Sequence, residues 1–150
     1  MVGPSRRELA DLLEQVSLFS RCTSRERATV ARHMQTASLP ADTPMVEAGE
    51  EGDALFVILD GAAVVRRDGE DVLAVGPGAY FGELALLDGE PRSATVVSTE
   101  PITVAVLGVR MFRTLLREVP DMTAQVLAGL AQDLRRARDE LEAATRSSHS

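Results

Sequence analysis

From Gln35 to Leu107 the chain is written in short strand-like segments, each stopped by turn-forming residues before it grows long. The segments are Thr36 to Leu39, Met45 to Ala48, Leu55 to Leu59, Ala62 to Arg67, Asp71 to Val75, Ser93 to Ser98 and Ile102 to Leu107. Between them stand Pro40 and Pro44, the turn from Gly49 to Asp53, Gly61, the pair Asp68 and Gly69, the trio Gly76, Pro77 and Gly78, and the Glu100–Pro101 corner. Strands this short, with turns every ~8–12 residues, build a sandwich or a jelly roll rather than a parallel sheet. In the middle segment Leu55, Val57 and Leu59 lie on one face, and Phe56 and Ile58 on the other. A strand apolar on both faces is covered on both sides.

Helical periodicity flanks this region. Ser5 with Glu8, and Thr23 with Glu26, are capping-box pairs. Leu9, Leu12, Leu13 and Val16 form the apolar face of the first helix; Ala28, Ala31 and Met34 form that of the second. Phe19 falls between the two and is expected to pack there. After Leu107, Phe112, Leu115 and Leu116 mark a short helix. Pro120 then opens a long one at a first-turn position, where its missing N–H costs nothing. Leu127, Leu130, Leu134, Ala137, Leu141 and Ala144 step along it in alternating threes and fours, the a/d pattern of a coiled coil. Such a face either covers the barrel or makes a two-chain seam; the stripe runs past what one small barrel covers, which favours a homodimer seam along the helix from Pro120 to Ala144. Arg135–Asp139, Arg136–Glu140 and Arg138–Glu142 are i,i+4 pairs on its flanks, each worth a few tenths of a kcal/mol at most. The expected architecture is α+β and mainly β: a jelly-roll barrel, or double-stranded β-helix, with N-terminal helices and two C-terminal helices, the last one long. It occupies residues 1–145, followed by a flexible tail over 146–150.

The bulk numbers bound the function. The chain has 150 residues, 45% of them apolar, and a net charge of −7; mean hydropathy is −0.01 and the pI about 4.8. An acidic domain without a basic patch does not grip a nucleic-acid backbone, but a small anion needs only a local site. The single cysteine, Cys22, excludes an intramolecular disulfide and fits a reducing compartment. Neither a secretory leader nor an apolar run near the ~20 residues of a membrane span is present, so a cytoplasmic location is expected. Cys22 and His33 have no orienting third group, and a free cysteine usually serves as small apolar filler. A metal-dependent jelly-roll enzyme needs several histidines on adjacent strands. Here only His33 and His149 exist, one in a helix and one in the tail. No enzyme chemistry and no metal or cofactor is expected.

The chemistry concentrates between Phe81 and Val97. Gly82 ends a strand-like run and opens a short helical stretch, Glu83 to Leu87. The first N–H groups of a helix have no internal partner, and glycine lets an anion approach them. Asp88, Gly89, Glu90 and Pro91 read as a turn. Arg92 follows at once, held between the proline and a β-branched strand, where its guanidinium can meet an anion bidentately. Ser93 adds a hydroxyl and an N–H. Glu83 is an acceptor suited to a sugar hydroxyl. Together they suit a small sugar phosphate. Two blander readings exist. Glu83 and Arg92 taken alone make a surface ion pair worth about 0–1 kcal/mol. Gly76 to Gly82, with Glu100 downstream, imitates a dinucleotide-binding loop, but that fold needs helices alternating with parallel strands, and this region reads as strands and turns.

The string Phe81, Gly82, Glu83, Leu84, Ala85, Leu86, then Pro91, Arg92, Ser93, Ala94 resembles the phosphate-binding cassette of the cyclic nucleotide-binding domain family. The likeness covers roughly residues 10–145. It implies a β roll with helices at both ends. It also implies that Glu83 accepts the ribose 2′-hydroxyl and that Arg92 pairs with the cyclic phosphate. Ser93, with the N–H groups near Gly82, Leu84 and Ala85, completes the phosphate contacts, and Val75 packs on the base. The base is finished by a lid from the long helix near Leu134 to Arg138, although Ala137 replaces the hydroxyl-bearing lid residue of DNA-binding family members. Ser93, rather than threonine, implies cyclic AMP over cyclic GMP. The implied role is ligand sensing that repositions the C-terminal helices; the alternative is a family member that only dimerises. DNA-binding members continue into a helix-turn-helix module, which this chain is not expected to supply.

Overall fold

Side-chain caps start the N-terminal helices where the polar pairs stand. Helix α1 (Arg6–Leu13) begins at Ser5, whose hydroxyl accepts the Glu8 N–H at 3.1 Å. Helix α2 (Ser24–Arg32) has the complete reciprocal box: Glu26 N–H donates to the Thr23 hydroxyl at 3.1 Å, and Thr23 N–H donates to the Glu26 carboxylate at 2.7 Å. The computed structural model describes residues 3–50, 52–82, 92 and 94–148. Glu83, Leu84, Ala85 and Ser93, with the short helix and turn expected over 83–91, lie outside the described residues. Of the expected apolar face of α2, Ala31 and Met34 are buried, together with Val30 and Glu26, while Ala28 is exposed.

Among the described residues eight strands follow: β1 Gln35–Leu39, β2 Pro44–Val46, β3 Ala54–Asp60, β4 Ala63–Arg67, β5 Glu70–Val75, β6 Tyr80–Phe81, β7 Thr95–Ser98 and β8 Ile102–Gly108. They form two four-stranded sheets, ordered β1-β8-β3-β6 and β2-β7-β4-β5, and every strand pair is antiparallel. This is the expected jelly roll, and it rules out the parallel dinucleotide-binding arrangement. Asp68 and Gly69 turn β4 into β5 with φ of 53° and 80°, the left-handed pair that matches the twist of a tight hairpin.

Strand β3 is covered on both faces. Leu55 and Val57 join the helix-side core with Leu13, Phe19, Val30, Leu107, Phe112 and Met122. Ile58 and Phe56 point into the roll, with Val46, Val96 and Val104 from both sheets. Phe19 comes from the single 3₁₀ turn Ser17–Phe19 between α1 and α2 and meets the Phe112 ring at 6.4 Å.

Two helices close the chain, α3 (Val109–Glu118) and α4 (Met122–Ser148). Pro120 does not open α4. It forces the preceding Val119 into extended geometry, φ −90° and ψ 115°, because proline crowds a helical neighbour before it. Asp121 then turns left-handed at φ 65°, and α4 begins at Met122. At the other end the helix continues through Ser148, past the expected tail boundary at Arg146. Gly129 brings α4 directly onto the 3₁₀ turn, since a Cβ there would collide with the Ser17 and Leu18 carbonyls. Of the apolar stripe, Leu130 packs on the core, whereas Leu127, Leu134 and Leu141 are 56%, 72% and 68% exposed. Among the described residues the flanking i,i+4 ion pairs do not form. Arg136 reaches back to Asp133 at 3.6 Å instead.

Candidate anion-binding site

The candidate site begins where β6 meets β3. Phe81 lies opposite Phe56 in the ladder, and the two rings stack at 5.2 Å and 6°. The next residue, Gly82, sits at φ +97°, a backbone region that side chains disfavour. Space makes glycine doubly necessary: a Cβ there would run into the Ala54 carbonyl and lie 2.7 Å from Arg92 Nη1. Gly82 and the Arg92 guanidinium, ten positions apart in sequence, are therefore adjacent in space.

Backbone and side chain each hold Arg92. Its N–H donates to the Glu50 carbonyl at 2.8 Å, and its carbonyl accepts the Gly49 N–H at 2.8 Å. This two-bond pairing fixes where the side chain leaves the backbone. Nη2 donates to the Ala54 carbonyl at 3.1 Å, and the guanidinium carbon stands 5.9 Å over the Phe56 ring. The head group is half-buried on an aromatic floor. A cation partly withdrawn from water gains more from an anionic partner than an exposed one does. Nearby, the Glu50 carboxyl is raised above its usual range, chiefly by a hydrogen bond with Glu47 and by repulsion from it; Arg92 pulls the other way.

Val75 ends β5 opposite Ala63 and belongs to the same interior cluster as Phe56 and Phe81. Leu134 and Arg138 are exposed, with neither packed over the roll. So the structure brings together Gly82 and Arg92, puts Val75 in the adjoining core and leaves the two lid residues in solvent. Sequence reasoning missed the supports: Ala54 and Phe56 beneath Arg92, and Asp133 of α4, which accepts hydrogen bonds from Ser17 at 2.7 Å and from Tyr80. The Tyr80–Asp133 contact joins residues far apart in sequence, so no spacing announces it. The helical glycine at 129 was the readable sign of close packing nearby. Among the described residues no cluster of three metal-ligating side chains occurs, and no helix is long and apolar enough to cross a membrane. Cys22 is buried, and burial first, then Glu26, pushes its thiol up to about 11, the opposite of an activated nucleophile.

Comparison with known proteins agrees with this geometry. The family described as "Cyclic nucleotide-binding domain" matches residues 36–119. The chain belongs to that family. It is 37% identical over 119 residues to the cAMP-dependent protein kinase regulatory subunit of Aspergillus niger, covering 78% of this chain and 29% of the relative. Thus it spans under a third of that relative's length. Among solved structures, a cyclic nucleotide-binding domain from Methylobacillus flagellatus matches with TM-score 0.77 and 31% identity over 90% of this chain and 79% of the other. The regulatory subunit of a cAMP-independent protein kinase A from Trypanosoma brucei matches with TM-score 0.73 and 25% identity, over 91% of this chain and 51% of that one.

Proposed function

We propose that this chain is a cyclic nucleotide receptor domain, with cyclic AMP preferred to cyclic GMP, that regulates by repositioning its C-terminal helices. The observation that carries this reading is the meeting of Gly82 and the Arg92 guanidinium above Phe56. Arg92 pairs with the cyclic phosphate. The N–H groups following Gly82, including those of Leu84 and Ala85, and the Ser93 hydroxyl complete its ring of donors. Glu83 accepts the ribose 2′-hydroxyl, and Val75 lies against the base. Binding chemistry suffices; no bond is made or broken. Support for cyclic AMP comes from Ser93 and from the cAMP-dependent description of the fungal relative. The trypanosomal neighbour is described as cAMP-independent, so the fold by itself does not decide the ligand.

Ligand moves the helices only through its different affinity for two arrangements. In the arrangement described, Leu134 and Arg138 face solvent, and α4 must repack for them to act as a lid. The exposed leucines of α4 also support a homodimer through this helix. Titration calorimetry with both nucleotides tests the reading. Saturable binding, tighter for cyclic AMP, is expected. Heat from neither nucleotide leaves the dimerisation-only reading.

A further inference from the structure

Asp133 stands where three elements meet. It lies on α4, its carboxylate accepts the Ser17 hydroxyl at 2.7 Å, and the same oxygen accepts the Tyr80 hydroxyl. The other oxygen faces Arg136 at 3.6 Å. Ser17 belongs to the 3₁₀ turn on which Gly129 seats the helix. Tyr80 is the first residue of β6, two positions before Gly82. On β6 the side chains alternate faces: Phe81 enters the roll, while Tyr80 packs against the helix-side core. One two-residue strand thus carries the candidate site on one face and an anchor for α4 on the other.

The anchor is where α4 stops being held. Leu130 packs on the core and Asp133 is 26% exposed, whereas every residue from Leu134 to Ser147 is exposed. A cavity of about 580 Å³, lined in part by Glu14, Gln15, Leu73 and Arg136, opens beside the junction. Asp133 already keeps a quarter of its side chain in solvent, so the junction can part without stranding a buried charge.

We propose that Asp133 is a positioning residue: its bonds to Tyr80 and Ser17 hold α4 in the arrangement in which Leu134 and Arg138 face solvent, and nucleotide binding works against them. The inference rests on the receptor reading above. A restraint on the unlidded arrangement lowers apparent affinity by lowering the population of the competent one. Losing a charge-assisted hydrogen bond therefore raises affinity for cyclic AMP.

The test uses the full chain carrying Tyr80→Phe, Asp133→Asn, or both. Each single variant is expected to bind cyclic AMP roughly 3- to 10-fold more tightly than the parent. The double variant should gain less than the product of the two single gains, because Tyr80→Phe removes one of the bonds that Asp133→Asn weakens. Unchanged or weakened binding in both singles overturns the proposal. A second reading needs no ligand: spin labels at Asp68→Cys and Glu142→Cys in a Cys22→Ala background report the distance from the β4–β5 hairpin to the free half of α4. Tyr80→Phe is expected to shift or broaden that distance distribution; an unaltered distribution overturns the proposal. If the parent binds no cyclic nucleotide, the receptor reading fails, and the distance measurement still decides the junction.

Discussion

Gly82 and Arg92 show how little freedom the candidate site leaves its residues. Any side chain at 82 meets both a positive φ and the Arg92 head group. Gly82→Ala is therefore expected to cost about 1–3 kcal/mol of stability and to weaken cyclic AMP binding in the same variant, read by urea unfolding and by calorimetry. Parent-like stability and affinity would show that the turn is not tightly set. Cys22 offers a test of the helix-side core. Burial raises its thiol from 9.0 to about 11, so the folded chain keeps this proton to higher pH than the unfolded chain does. Its contribution to stability is full below pH 9 and is lost as pH rises through about 11. Alkylation by iodoacetamide at pH 8 should run at least ~100-fold slower in native buffer than in denaturant, and the loss of stability between pH 9 and 11 should be smaller in Cys22→Ala. Equal alkylation rates would place the thiol at the surface.

At the scale of elements, the strands were readable because each one is apolar on a face and stopped by proline, glycine or aspartate. Asp68 with Gly69 and the two-faced β3 stand where that chemistry puts them. What escaped was set by tertiary geometry. Proline chemistry located a boundary between α3 and α4, but only the left-handed Asp121 decides that α4 starts at Met122. On α2 Ala31 and Met34 are buried as their spacing indicates, and Glu26 joins them because its carboxylate is tied back to the Thr23 N–H. Arg136 faces Asp133 one turn back, on the carboxylate oxygen that Ser17 and Tyr80 leave open. In the site, Gly82 and Arg92 were legible from the motif; Phe56 beneath Arg92 was not, since a strand residue that fills a core looks the same as one that carries a cation. The α4 stripe yields its own prediction. Leu134 is 72% exposed, so Leu134→Asp should change stability of the isolated chain by only about 0.5–1 kcal/mol while shifting a dimer toward monomer in sedimentation. A monomeric parent would remove the seam.

For the whole molecule, the two sheets of the jelly roll enclose one core and the helices share a second with the outer face of one sheet. The helix-side core joins α1, α2, α3 and the first half of α4 to the outer face of β3 and β8, and the second half of α4 projects free. A ligand that binds only the folded state stabilises it by mass action. Cyclic AMP at 100 times its dissociation constant should add ~2.7 kcal/mol, or roughly 5–10 °C in Tm at this size. No shift with either cyclic nucleotide would contradict the receptor reading.

The central claim is that the guanidinium lodged between Gly82 and Phe56 is the phosphate ligand. Calorimetric titration of cyclic AMP into the parent and into Arg92→Ala tests it most directly. The account predicts that affinity falls by ~2–5 kcal/mol, the cost of leaving a desolvated charge without its partner, while the variant stays folded. Affinity equal to the parent's would contradict it.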